Sequence, residues 1–92
     1  MYKKYRPEMD DPIYKDWRQK VYRRDKGKCQ MPRCSRRGRG IQVHHIRRWA
    51  DAPSLRYEVG NGILLCWNCH KEVTGKEFHY EGLFNSIVAS KQ

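Results

Sequence analysis

The four cysteines of this chain occur as two pairs, and they restrict its fold more than any other feature. Cys29 and Cys34 are five positions apart, and Cys66 and Cys69 have the C-x-x-C spacing at which two thiolates bind one tetrahedral ion. Four cysteines can also form two disulfides, in three connectivities. A chain of 92 residues, 38% of them hydrophobic, needs such a cross-link because its core is small. The sequence therefore predicts one cross-linked domain.

A metal is the favoured cross-link. Residues 1–10 do not resemble a secretory signal, and no segment approaches membrane-spanning length. We therefore expect the chain in a reducing cytoplasm, where thiolates bind metal rather than form disulfides. Four sulfurs fill the tetrahedral positions of a zinc ion, so this zinc has no open position for a reactive water. The sequence predicts a structural zinc ion held by Cys29, Cys34, Cys66 and Cys69.

The positive charge is concentrated in the first half of the chain. The net charge is +10, and sixteen of the twenty Lys and Arg residues precede Trp49. This pattern favours a nucleic acid as partner over a membrane, because no stretch combines the cations with a long apolar helical face. After the first cysteine pair comes a glycine-rich loop that suits contacts with backbone phosphates. Its arginines are Arg36, Arg37 and Arg39, and Arg33, between the two cysteines of that pair, is a candidate for the same contacts.

Local patterns predict an α+β domain. Asp11 suits a helix N-cap and Pro12 the first helical position, and an apolar stripe follows at Ile13, Tyr14, Trp17 and Val21. We expect a flexible basic arm over 1–10 and a single domain over 11–90. Within the domain we expect strands over 41–46 and 63–65, joined as a hairpin by a long loop, and helices over 66–73 and 80–89. The large apolar side chains of the loop, Trp49, Leu55 and Tyr57, are expected in the core.

Three histidines have no role in a closed zinc site. His44 and His45 lie in the first predicted strand, and His70 directly follows the last cysteine. Their grouping favours a second, open metal site with a nearby general base, whereas His79 is read as an ordinary polar residue. Consecutive residues of a strand face opposite ways. His44 and His45 must therefore lie at a strand end if they serve one site.

Several motifs together carry a resemblance to a known family. They are Val-His-His-Ile at 43–46, Asn-Gly-Ile-Leu-Leu-Cys at 61–66, Cys-Trp-Asn-Cys-His-Lys at 66–71, and a lead-in helix from Trp17 to Cys29 with Arg24-Asp25. With them, roughly residues 12–90 resemble the HNH endonucleases of the ββα-metal fold, and most of all their compact phage-encoded and mobile-element members. The resemblance implies a metal-dependent DNA endonuclease that leaves a 5′-phosphate and a 3′-hydroxyl.

The resemblance also implies roles for single residues. His44 and His70 would hold one catalytic divalent ion, His45 would be the general base, and Asn61 would brace the hairpin and orient that base. The family often has an aspartate where this chain has His44. Two imidazoles without a carboxylate suit Mg²⁺ poorly and suit Mn²⁺, Ni²⁺ or Zn²⁺ better.

The implied substrate is DNA, in double-stranded form. Arg47, Arg48 and Lys71 are further candidates for phosphate contacts. One active site per chain produces a nick, so a double-strand break requires a dimer or successive nicks, and we expect a monomer or weak dimer. Phage members would act in the cytoplasm of a bacterial host and would have phage packaging proteins as partners.

Another class of protein shares part of this pattern. A non-catalytic, zinc-ribbon-like nucleic-acid-binding module would have the same cysteines and the same basic loop, and only His44, His45 and His70 separate it from the nuclease. A nucleobase deaminase is disfavoured, because its zinc needs an open position and a His-x-Glu glutamate. Glu72 follows His70 at that spacing, but no Pro-Cys-x-x-Cys comes after it.

Overall fold

A computed structural model describes residues 11–91, and the arm predicted over 1–10 lies outside them. The elements in chain order are α1 (Pro12–Arg24), β1 (Ile41–His45), β2 (Gly62–Cys66), α2 (Trp67–Val73) and α3 (Glu77–Ala89), with two 3-10 turns, Pro53–Leu55 and Val59–Asn61, between the strands. The predicted α+β class is confirmed, and β1, β2 and α2 follow in the order of a ββα-metal fold. Among the described residues, no helix has the length and apolar character needed to cross a membrane.

Helix α1 begins where the sequence predicts. A carboxylate oxygen of Asp11 accepts a hydrogen bond from the backbone N–H of Ile13 at 2.9 Å, and Pro12 occupies the first turn. Tyr14, Trp17 and Val21 are buried against the sheet. The prediction that Ile13 joins this stripe is wrong, because its side chain is 59% exposed.

The two strands form an antiparallel hairpin with a buried face on each side. The register pairs Ile41 with Cys66 and His45 with Gly62 at its two ends. One face packs on α1, and the other packs on α2 and α3. All five residues of β2 are buried. Gly62 lies where α1 touches the sheet, and a β-carbon there would come within 2.6 Å of Val21 and 2.8 Å of Trp17.

A buried ion pair fixes α1 against the hairpin. The carboxylate of Asp25, which is 1% exposed, accepts hydrogen bonds from the Arg24 side chain and, at 3.0 Å, from the backbone N–H of Leu64. Arg24 also donates to the carbonyl oxygens of Val59 at 2.9 Å and Gly62 at 2.6 Å. Because the charges are paired and their remaining polar atoms are bonded, the orientation of α1 on β2 is well defined.

The last two helices close the opposite face of the sheet. Helix α2 begins after Cys66, whose sulfur accepts a hydrogen bond from the N–H of Cys69. Helix α3 begins at Glu77, three residues before the predicted start, and buries Phe84 and Val88. Of the loop side chains predicted to be core anchors, Trp49 and Leu55 are half-buried, whereas Tyr57 is exposed.

Candidate active site

Four thiols meet where the two cysteine pairs approach each other. The sulfurs of Cys29, Cys34, Cys66 and Cys69 all lie within 4.8 Å of one another, and those of Cys34 and Cys66 are 3.9 Å apart. Zinc–sulfur bonds of about 2.3 Å in a tetrahedron place sulfurs about 3.8 Å apart, whereas disulfide sulfurs are about 2 Å apart. All four cysteines are free. The cluster therefore fits a zinc site, and the disulfide alternative is not formed.

Backbone hydrogen bonds bring the first cysteine pair to the second. The N–H of Cys29 donates to the carbonyl of Arg36 at 2.9 Å, and the N–H of Gln30 donates to the carbonyl of Leu64 at 2.9 Å. Burial raises the pKa of the Cys29 thiol. At Cys66 burial is the largest single effect and acts in the same direction, but hydrogen bonds with Cys69, Cys34 and Cys29 together outweigh it and lower the pKa to about 7. Four thiolates this close together require a cation between them.

The second cluster consists of two histidines on neighbouring elements. His44 of β1 is 6% exposed, and its ring meets that of His70 in α2 edge to face, with ring centroids 5.4 Å apart. The Nε2 atom of His44 is buried and has no hydrogen-bond partner in the part of the chain that is described. Burial first, and then the neighbouring His70, lower the pKa of His44 to about 4. His44 is therefore a neutral imidazole at physiological pH.

His45 occupies the other face of the sheet. Its ring stacks on Trp17 with centroids 4.2 Å apart and an angle of 17° between the ring planes. Its Nε2 atom lies 3.0 Å from the carbonyl oxygen of Arg56. Because a carbonyl oxygen only accepts, Nε2 carries the proton in this contact, and the lone pair of the neutral ring is on Nδ1. Trp17 is held in turn by a hydrogen bond of 2.7 Å from its indole N–H to the carbonyl of Glu58.

The alternation expected for a strand separates the two adjacent histidines. Both belong to β1, in which His44 pairs with Ile63 and His45 is the last residue. The structure brings His44 and His70 together, and it turns His45 toward α1.

Asn61 closes the end of the hairpin directly beyond His45. Its side-chain oxygen accepts from the N–H of Arg47 at 2.9 Å, and its amide nitrogen donates to the carbonyls of Arg47 and Leu55, each at 3.2 Å. Its own carbonyl accepts from the N–H of Ile46 at 2.8 Å. This buried amide therefore fixes the turn of the chain after β1.

Comparison with known proteins now identifies the family. The family model described as HNH endonuclease matches residues 29–76, slightly more than half of the chain. The chain belongs to the HNH endonuclease family. No curated protein and no solved structure gives a significant match. The matched segment contains both cysteine pairs, the three histidines of the site and Asn61, whereas α1 with Trp17 precedes it.

The basic residues of this HNH domain differ in how free their charges are. Arg33, Arg36, Arg37, Arg39, Arg47, Arg48 and Lys71 are all exposed. The Arg48 guanidinium binds the Asp51 carboxylate at 2.8 Å, and Arg47 lies 3.9 Å from Glu81. Arg37 donates to the carbonyl of Lys26 at 2.9 Å. Unlike those of Arg47 and Arg48, the side chains of Arg33, Arg36, Arg39 and Lys71 have no carboxylate partner among the described residues.

Two contacts of the HNH site were missed by the sequence analysis. Trp17 was predicted as a core residue only, and Arg56 was given no role. The ring of Trp17 and the carbonyl of Arg56 together hold His45. A backbone carbonyl has no residue-type signal, and the Trp17–His45 contact joins residues far apart in sequence. Arg48 and Asp51 are three residues apart and carry opposite charges, so their ion pair was predictable from the sequence.

Proposed function

We propose that this HNH domain is a metal-dependent DNA endonuclease that hydrolyses phosphodiester bonds, with the divalent ion held by His44 and His70. The observation that carries the proposal is the buried Nε2 of His44, which has no hydrogen-bond partner among the described residues, on a ring that meets the His70 ring edge to face. A buried polar nitrogen left unpaired costs about 1–3 kcal/mol. A ligand that uses this nitrogen would remove that cost.

A divalent transition ion fits these two residues. The low pKa of His44 keeps its ring neutral, so that it can offer a lone pair at neutral pH. Two imidazoles without a carboxylate favour Mn²⁺, Ni²⁺ or Zn²⁺ over Mg²⁺. When bound, such an ion supplies positive charge to the scissile phosphate and to the leaving oxygen.

His45 is proposed as the general base. Its Nδ1 lone pair would accept a proton from the water that attacks phosphorus, as the bond from phosphorus to the 3′-oxygen breaks. The products would be a 5′-phosphate and a 3′-hydroxyl, with the proton of the latter supplied by solvent. The stack on Trp17 and the hydrogen bond to Arg56 limit rotation of the ring, which supports a fixed direction for Nδ1.

The substrate must reach both faces of β1 if His44 and His45 act on one phosphate. A substrate could pass from one face to the other around the end of the strand beyond His45, and Asn61 fixes the chain there through Arg47 and Leu55. Asn61 is therefore proposed as a positioning residue. Arg33, Arg36, Arg39 and Lys71 are proposed to hold the DNA backbone, with Arg37, Arg47 and Arg48 as weaker contributors because each already has a protein partner.

A non-catalytic nucleic-acid-binding module is the second candidate. The four-thiol cluster and the basic loop fit that function equally well, because neither performs chemistry. A binding module of this kind would give no reason for the buried, unpaired nitrogen of His44.

Incubation of supercoiled plasmid with the zinc-loaded protein tests the proposal. We expect conversion to nicked circles when Mn²⁺ or Ni²⁺ is added, and no conversion without an added ion. Conversion with Mg²⁺ should be slower, since His44 and His70 provide only nitrogen ligands. Gel electrophoresis separates the supercoiled, nicked and linear forms. Intact plasmid under every ion, with DNA binding retained, would favour the binding module.

A further inference from the structure

Trp67 is an aromatic side chain for which the site described above has no use. Its ring is 55% exposed, whereas that of Trp17 is 2% exposed. It occupies the first position of α2, between the two cysteines of the second pair. It is not among the residues that form the core on either face of the sheet. Tryptophan is enriched at contact surfaces, where its ring packs and its indole N–H can still be hydrogen-bonded.

The surroundings of Trp67 are cationic. The amine of Lys71, one helical turn later, lies 5.1 Å from the centre of the indole ring. Gly40, which ends the basic loop, lies near the base of the same side chain, because a β-carbon on Gly40 would be 3.6 Å from that of Trp67. The exposed Arg36 and Arg39 belong to this loop. An exposed aromatic ring beside a lysine and close to the end of a basic loop suits a nucleotide, whose base stacks while its phosphate binds the charges.

Helix geometry relates this ring to the proposed metal ligands. Trp67 and His70 are three residues apart on α2, so their β-carbons are neighbours at about 5–6 Å. A base stacked on Trp67 would therefore belong to a nucleotide close to the phosphate at His44 and His70.

We infer that Trp67 stacks on an unpaired base close to the scissile phosphate, so that the substrate is DNA with unpaired bases at the cut, such as a junction of duplex and single strand. The claim that the unpaired base lies close to the cut rests on the proposed function, whereas the claim that Trp67 stacks on a base does not. In continuous duplex each base is already stacked on its neighbours, and a contact with Trp67 would require unstacking. Because every base has a π-face, this contact selects DNA structure rather than sequence.

Binding without added divalent ion tests the inference separately from cleavage. The probes are a fluorescent 20-base-pair duplex and the same duplex with a gap of three unpaired nucleotides, with affinity measured by anisotropy. Trp67→Leu should weaken binding to the gapped DNA about tenfold or more and binding to the intact duplex less than about twofold. Trp67→Phe should retain most of the affinity, since a phenyl ring still stacks.

Phe78→Leu is the matched control, because Phe78 is 86% exposed and lies on α3. It should leave both affinities unchanged, and zinc content and thermal melting should be the same in all three variants. Equal losses by Trp67→Leu on both DNAs, no loss on either, or the same gap-specific loss in Phe78→Leu would each overturn the inference. A protein that binds gapped DNA as expected but cuts neither plasmid nor the gapped probe when Mn²⁺ or Ni²⁺ is added would refute the proposed function and leave the stacking intact.

Discussion

Cys69→Ser is expected to unfold the domain. Its sulfur is one of four that lie within 4.8 Å of one another. Cys29 and Cys66, which supply two of the other sulfurs, are buried in the core that the sheet forms with α2 and α3. Structural zinc in small domains contributes about 10–16 kcal/mol of apparent binding free energy, which exceeds the total stability of most small proteins. The variant should lose the cooperative thermal melt and the stoichiometric zinc of the wild type.

Asn68→Ser is the matched control for this variant. Asn68 lies between the two cysteines of the same turn, is exposed, and offers no sulfur ligand. Its melting temperature should remain within a few degrees of the wild-type value and its zinc content should stay at one ion per chain. A Cys69→Ser protein that melts like the wild type would show that the thiol cluster does not stabilise the fold through a metal.

His45→Ala is expected to reduce plasmid cleavage by about 10²–10⁴-fold, the usual contribution of a general base. The Nδ1 atom that would accept the proton is lost, whereas the thiol cluster and the basic loop are untouched. Affinity for DNA and zinc content should therefore persist. Initial nicking rates, measured at equal fractions of bound plasmid, give the comparison.

His45→Phe separates catalysis from packing. A phenyl ring retains the stack on Trp17 but cannot accept a proton, so this variant should be as inactive as His45→Ala and more stable. His79→Ala, which removes an exposed histidine of α3, should cut at the wild-type rate. Wild-type cleavage by His45→Phe would exclude His45 as the base.

The helix starts that are marked by capping residues or by metal-ligand spacing were predictable from the sequence. Asp11 and Pro12 mark the start of α1, and the C-x-x-C pair marks the turn into α2, because capping and ligand spacing act within a few residues. The start of α3 at Glu77 was missed. No side chain caps it, since Lys76 at the N-cap makes no such hydrogen bond, and Phe78 in its first turn is exposed and breaks the apolar period.

The candidate site was predictable as a set of residues and less so as an arrangement. Strand alternation predicts that His44 and His45 can serve one site only where the strand ends and turns, and the structure has the two rings on opposite faces of β1. The stack of His45 on Trp17 and the bond to Arg56 depend on how α1 and the long loop pack on the hairpin, which no local pattern encodes. The ion pairs of Arg47 and Arg48 likewise change which cations are available to DNA.

The dependence of the nicking rate on Mn²⁺ concentration, measured for wild type and His70→Ala, tests the central claim most directly. If His44 and His70 hold the catalytic ion, the variant should cut at least about 100-fold more slowly at low Mn²⁺, by analogy with the 10–100-fold cost of losing groups that only support a metal ligand. Its DNA affinity and structural zinc should be normal. Equal rates for the two proteins across the whole Mn²⁺ series would contradict the assignment of this metal site.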